Sequence, residues 1–224
     1  MNKRIQWLLQ QTSLKLLVLA ALFLLALFIF AYIAHEAVYE QEDVFDAQVH
    51  AFFLLHTTPA LTDTARDLTF LGSSLFLLPA YILLIGALII FKRKQYALDI
   101  STVALSSFLI MQVLKRVFHR KRPDLPIIKA IHTYSFPSGH SLSSFIFCSI
   151  LAYLIWKSNW RVVWKWLYTV LLLLLAAAIG ISRIVLNVHF ATDVIAGFCL
   201  GIMWVILSFW IIHKINQRRL VHHL

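Results

Sequence analysis

Six unbroken apolar runs, separated by short polar segments, set the pattern of this chain. They lie at about Leu14–Ala34, Leu71–Phe91, Tyr96–Val117, Ser138–Trp156, Val162–Ser182 and Phe190–Ile212. A hydrocarbon core of ~30 Å needs about 20 apolar residues in helical form, and each run is of that order. The runs are continuous rather than alternating, which specifies helices and not barrel strands. The pattern thus predicts an all-α polytopic membrane protein with six transmembrane helices. Residues 35–68 break the pattern, being acidic with Phe45, Val49, Phe52 and Phe53 at helical spacing. That segment reads either as one or two short amphipathic helices on the outer surface or as a capping loop. No repeat, low-complexity tract or Gly/Ser linker divides the chain, so residues 1–224 read as one integral membrane domain. The first run exceeds the 7–15 apolar residues of a cleaved signal peptide, so it is taken as a retained helix.

Composition strengthens the membrane reading. The chain of 224 residues is 61% hydrophobic and only 13% charged, against ~25% charged in a typical soluble domain. A soluble fold of this size could not bury so much apolar surface and still show water a polar face. Cys148 and Cys199 both sit in apolar runs, as core thiols rather than a disulfide framework or metal site.

The net charge of +10 has two parts. With a cytoplasmic N-terminus, the inner side carries Lys3, Arg4, Lys15, Lys92, Arg93, Lys94, Lys157, Arg161, Lys165, Lys214, Arg218 and Arg219, accompanied only by Asp99. That excess orients the chain with both termini cytoplasmic. Trp156, Trp160, Trp164, Trp166 and Trp210 fall at the same interface, as an aromatic belt would. A second group belongs to the outer face: Lys115, Arg116, Arg120, Lys121, Arg122 and Lys129 between the third and fourth runs, and Arg183 at the end of the fifth. Translocated loops ordinarily avoid cations, so this group needs either lipid headgroups or a bound anion to explain it.

Three outer segments supply the chemistry. Lys115 and Arg122 are seven apart, so on a helix they would share a face two turns apart, with regular helix ending before Pro123. Pro137-Ser138-Gly139-His140 precedes the fourth run. Ser138 suits a helix N-cap, and Gly139 lets backbone N–H groups approach an anion at a helix start. Ser182-Arg183, His189 and Asp193 form the third segment. His189 and Asp193 share a helical face, so the carboxylate can hold Nδ1–H and leave Nε2 as a nucleophile. Arg183 offers a planar fork for phosphate oxygens. The His/Asp pair could also ligate zinc, but the surrounding Lys and Arg would repel a cation.

These segments read Lys115-x6-Arg122-Pro123, Pro137-Ser138-Gly139-His140 and Ser182-Arg183-x5-His189-x3-Asp193. In that order and spacing the sequence resembles the type-2 phosphatidic acid phosphatase superfamily of integral membrane lipid phosphatases. The resemblance implies that His189 attacks phosphorus, Asp193 orients it, and His140 protonates the leaving oxygen. It implies that Lys115, Arg122, Arg183, Ser138 and Gly139 hold the phosphoryl oxygens, and it implies no metal or other cofactor. The expected activity is metal-independent hydrolysis of a phosphomonoester or pyrophosphate lipid headgroup through a phosphohistidine. Undecaprenyl pyrophosphate, phosphatidylglycerophosphate and phosphatidate are candidate substrates. The partners would be such a lipid and the bilayer, with no role for nucleic acid. The expected location is the cell membrane, multi-pass, with the active site at the extracytoplasmic face. Soluble vanadium haloperoxidases carry the same signature, and six spans argue against that branch. The alternatives are a lipid A phosphatase of the same superfamily or a non-catalytic phospholipid-binding or transport protein.

Overall fold

The computed structural model describes residues 3–39, 44–128 and 133–221, with side chains placed between 14 and 217. Lys129 and the side chains of Lys3, Arg4, Arg218 and Arg219 lie outside the described residues. Within them the fold is helical, with no strand. Helix α1 (Lys3–Ala34) runs on through a π-helical turn, His35–Tyr39. Two shorter helices follow, α2 (Val44–His56) and α3 (Pro59–Leu71). The remaining five are α4 (Ser74–Ile90), α5 (Lys94–Phe118), α6 (Gly139–Lys157), α7 (Val162–Val185) and α8 (Ala191–Val221).

Six helical stretches are long and apolar enough to cross a membrane: Leu14–Tyr39, Pro59–Ile90, Lys94–Phe118, Gly139–Lys157, Val162–Val185 and Ala191–Gln217. Their outward faces are crowded with exposed Leu, Ile, Val and Phe, a surface suited to lipid rather than water. The second stretch departs from expectation. Instead of one helix over 71–91, α3 and α4 follow one another with a break at Gly72 and Ser73. Thr58 caps α3 by accepting the Leu61 N–H at 3.2 Å, and Pro59 fits the first turn. Gly72 is required at the break because a Cβ there would stand 2.5 Å from Ile179 Cγ2 and 3.1 Å from His140 Cδ2. The described residues of the 35–68 segment thus lie mostly in helices, and α3 runs on to Leu71 and packs against α7.

The core joins α5, α6 and α8 through Ile100, Val103, Met111, Leu142, Ile146, Ile150, Leu200 and Met203, with both free cysteines buried. Helix α8 presses on α6 through two glycines. A Cβ at Gly197 would meet Ser138 O at 2.7 Å, and one at Gly201 would meet Phe145 Cδ1 at 2.8 Å. Small residues let the two backbones approach. Buried Phe136 packs edge-on against Phe118 at 4.9 Å and tilted against Phe30 at 5.6 Å. That aromatic cluster anchors the segment entering α6, and its peptide bond to Pro137 is cis.

At the other end of the bundle Trp156 stacks edge-on with Trp166 and Trp160 lies against Tyr168. Those rings mark an interfacial belt.

Candidate active site

The ends of α5, α7 and α3 and the starts of α6 and α8 meet at one face of the bundle. Asp193 lies in the first turn of α8, where its Oδ2 accepts the Phe190 N–H at 3.0 Å. This reach back to the helix cap satisfies a donor the helix cannot, and it fixes the carboxylate. The same oxygen accepts from His189 Nδ1 at 3.2 Å and from the Ser135 hydroxyl. Nδ1 thus carries the proton, and Nε2 keeps a lone pair. That lone pair faces Arg122 Nη1 at 3.1 Å, so the cation covers that nitrogen. Burial pushes the His189 imidazole down to about 3, against the pull of Asp193, with Arg122 and Arg183 acting in the same direction as burial. His189 is neutral at physiological pH. Burial also lowers Arg122 from its ordinary value, with Asp193 opposing.

Helix α5 stops at His119, which adopts a left-handed φ of 50° and donates its N–H to Lys115 O. Arg122 is consequently not on the helix, and the expectation of a shared helical face with Lys115 is corrected. The two cations converge instead on one carbonyl: Lys115 Nζ donates to Tyr134 O at 2.6 Å and Arg122 Nη2 at 3.4 Å. Arg122 is held further by Thr133 O and Val188 O at 2.7 and 2.6 Å. The loop after α5 does what continued helix was expected to do.

Ser138 is the N-cap of α6. Its hydroxyl accepts from Ser141 N at 3.4 Å and from Ser141 Oγ at 3.0 Å, while its own N–H donates to Asp193 O at 3.0 Å. The Ser138 hydrogen remains available to an acceptor. At Gly139 the nearest atom to the place of a Cβ is Lys115 Cε, 4.0 Å away, which leaves the helix start open towards that cation. The first N–H groups of α6 have no intrahelical partner and suit an anion. His140 is half-buried, within electrostatic reach of Arg183, His189, Arg122 and Lys115, and its ring makes no hydrogen bond to the described residues.

Arg183 is 1% exposed, one of the most buried large side chains of the molecule. Its Nη1 donates to the Thr69 hydroxyl of α3, yet Nε and Nη2 find no partner among the described residues. An unpaired buried charge costs several kcal/mol, and an anion is a group that could offset that cost here.

Sequence reasoning missed several members. Arg120, grouped above only with the outer cations, donates from Nη1 to Asp193 Oδ1 at 2.8 Å and to Thr192 Oγ1 at 2.7 Å. From Nη2 it reaches Asp46 Oδ2 at 2.8 Å, and its guanidinium stacks over Phe190 at 4.2 Å. Asp46, in the first turn of α2, also accepts the Thr192 N–H at 2.9 Å and the Thr192 hydroxyl. Ser135 and Thr69 complete the omissions. Only the proximity of Arg120 to Arg122 in the sequence hinted at any of them. No cluster of three or more His, Cys, Asp or Glu suited to a metal occurs among the described residues.

The chain resembles known proteins in sequence and fold. The chain is 34% identical over 176 residues to phosphatidylglycerophosphatase B of Bacillus subtilis (strain 168), covering 78% of this chain and 86% of that one. Its fold superposes on the crystal structure of the first transmembrane PAP2 type phosphatidylglycerolphosphate phosphatase from Bacillus subtilis, with a TM-score of 0.76 at 30% identity, over 88% of this chain and 96% of that one. The crystal structure of Aquifex aeolicus LpxE aligns with a TM-score of 0.61 at 25% identity, over 75% and 96% of the two chains. The family model described as the PAP2 superfamily matches residues 96–217, which contain every residue of the three segments described above. This multi-pass membrane protein belongs to the PAP2 superfamily.

Proposed function

We propose that the chain releases phosphate from a membrane lipid by a histidine nucleophile and without a metal. The observation that carries this reading is the buried, half-unpaired guanidinium of Arg183 beside a neutral, carboxylate-oriented histidine. A phosphoryl group supplies the missing acceptors for Arg183 Nε and Nη2. It also draws Arg122 off His189 Nε2, which frees the lone pair for in-line attack. Lys115, the Ser138 hydroxyl and the Gly139 N–H complete the cradle. Fixed cations then stabilise the equatorial oxygens, as magnesium does in other phosphoryl-transfer enzymes.

In the first step the His189 Nε2–P bond forms, the bond from phosphorus to the lipid oxygen breaks, and His140 gives that oxygen its proton. In the second, His140 takes a proton from water, whose oxygen attacks phosphorus and releases inorganic phosphate from Nε2. Asp193 stays ionised and holds Nδ1–H throughout, which stabilises the positive charge developing on the ring.

Phosphatidylglycerophosphate is the substrate we put first, because the Bacillus subtilis relative spanning most of this chain is named for it. Undecaprenyl pyrophosphate, phosphatidate and a lipid A phosphate offer the same headgroup chemistry. The distribution of Lys and Arg supports cytoplasmic termini and a site at the extracytoplasmic face of the cell membrane, and the lack of a Gly/Ser linker supports one integral domain over residues 1–224. The test is phosphate release by purified protein from these four lipids in EDTA, with His189→Ala as the blank. Release in EDTA with a loss of at least ~10³-fold in the variant is expected. A wild type silenced by EDTA would overturn the metal-free mechanism.

A further inference from the structure

A cavity of about 590 Å³ lies away from the phosphate site. It opens at the opposite end, between the starting turns of α5 and the ends of α6 and α8, and Asp99 lies at its floor. Asp99 and Lys115 are both on α5, sixteen residues apart, or about 24 Å at ~1.5 Å per residue. One molecule of headgroup size cannot touch both sites.

The charges around this cavity are separated and unmatched. Asp99 is 8% exposed and accepts from Gln95 Nε2 at 2.8 Å, but it has no ion-pair partner among the described residues. Lys92, Arg93 and Lys157 line the same cavity, are exposed, and likewise have no carboxylate partner among the described residues. Between floor and rim stands an aromatic wall: Tyr153 stacks on Phe209 at 4.5 Å and meets Tyr96 edge-on at 6.1 Å. Lys157 Nζ already lies 5.5 Å above the Tyr153 ring, so the wall accepts a cation. Anchoring of the bundle to the interface explains exposed cations, but not a buried carboxylate beneath them.

A purely anionic guest would satisfy the rim and leave Asp99 opposed. A purely cationic guest would be repelled at the rim. We propose that this cavity binds the zwitterionic headgroup of an aminophospholipid, with its phosphate against Lys92, Arg93 and Lys157 and its ammonium against Asp99 and the Tyr153–Phe209 pair. The lipid comes from the leaflet opposite the phosphatase site, so that its tails stay in the bilayer beside α5 and α8. The ammonium donates to the carboxylate and lies against ring faces, while the phosphate replaces the counter-ions of three cations.

The experiment uses full-length purified protein in detergent with saturating inorganic phosphate, so that the first site is occupied. Dioctanoyl phosphatidylethanolamine and dioctanoyl phosphatidylglycerol are titrated separately, and binding is read by thermal unfolding and by native mass spectrometry. Phosphatidylethanolamine should bind at least about tenfold more tightly than phosphatidylglycerol, since the two differ in the group that meets Asp99. Asp99→Asn should bring the two within about twofold of each other, with phosphate release retained. Lys157→Ala, at an exposed position, should weaken both lipids together. Equal or tighter binding of phosphatidylglycerol by the wild type would overturn the proposal. So would a preference that survives Asp99→Asn, or binding of both lipids undiminished in Lys157→Ala.

Discussion

Two buried arginines stand near the same histidine–carboxylate pair and differ in almost every contact. Arg120 is saturated: Asp193, Thr192 and Asp46 accept from it, and the Phe190 ring lies beneath it. Arg183 has one hydroxyl, and two of its nitrogens point at nothing within the described protein. Both carry the same charge, so burial alone does not separate their roles. Satisfaction does. A guanidinium with every partner supplied by the chain is a structural tie, whereas one left half-unpaired in the interior is, on the proposed reading, the one that takes a ligand. Arg120 reaches Asp193, and through it His189, while its other hand ties Asp46 and hence α2 to the start of α8. The short helices before α4 are thereby tied to the candidate site.

Breaking the two arginines separately should give opposite stability signs, and the largest rate effect belongs to Arg183. Arg183→Gln should lower phosphate release by about 10²–10³-fold, the loss expected from deleting one charge that stabilises the transition state. In the absence of substrate the same variant should melt no lower than the wild type, because an unpaired buried charge has been removed. Kinetics combined with thermal unfolding checks both halves. A variant that loses activity and stability together would make Arg183 a structural residue.

Arg120→Gln should do the reverse in stability, lowering it by about 3–5 kcal/mol as Asp46 and Asp193 lose their shared cation. Adding Asp46→Asn should cost less than the sum of the single changes, since the two residues act as a pair. A double-mutant cycle by denaturant unfolding measures that coupling. Additive losses would sever α2 from the site.

The smallest effect is on pH dependence. Burial holds His189 below its ordinary value, so the neutral nucleophile persists under mildly acidic conditions and the acid limb of kcat/KM should fall below pH 6.5. Because the folded value lies below the unfolded one, this group's contribution to stability is complete above about pH 6.5. It is lost as the pH falls towards about 3. Arg183 is one of the cations lowering it, so Arg183→Gln should move the acid limb upward. Arg120→Gln exerts no such direct influence. A pH–rate profile of each variant separates the two.

The distinction between the arginines also shows what could be read in advance. Six apolar runs announced six spans because lipid imposes length and continuity on every crossing helix. His189 and Asp193 were legible as a pair four residues apart, but the shared helical face was not found: His189 lies in the turn before α8, and Asp193 in the first turn of α8 reaches back to it. Arg120, Asp46 and Thr69 were not, since their partners stand 73, 146 and 114 residues away and no local periodicity reports such contacts. Arg122 was recognised while its setting was misjudged: the left-handed His119 ends α5 early, and the loop carries the side chain to the shared carbonyl. Gly72 gave no signal because its need arises from Ile179 and His140, which reach it only in the fold.

The proposed chemistry at His189 is accessible to direct observation. Protein mixed with lipid labelled by ³²P in its terminal phosphate, and quenched with base within one turnover, should carry an acid-labile, base-stable label that maps to His189. His189→Ala should carry none, and His140→Ala should accumulate label from a lipid with a good leaving group. Label that persists in His189→Ala, or a wild type that turns over with no label at all, would exclude histidine as the nucleophile.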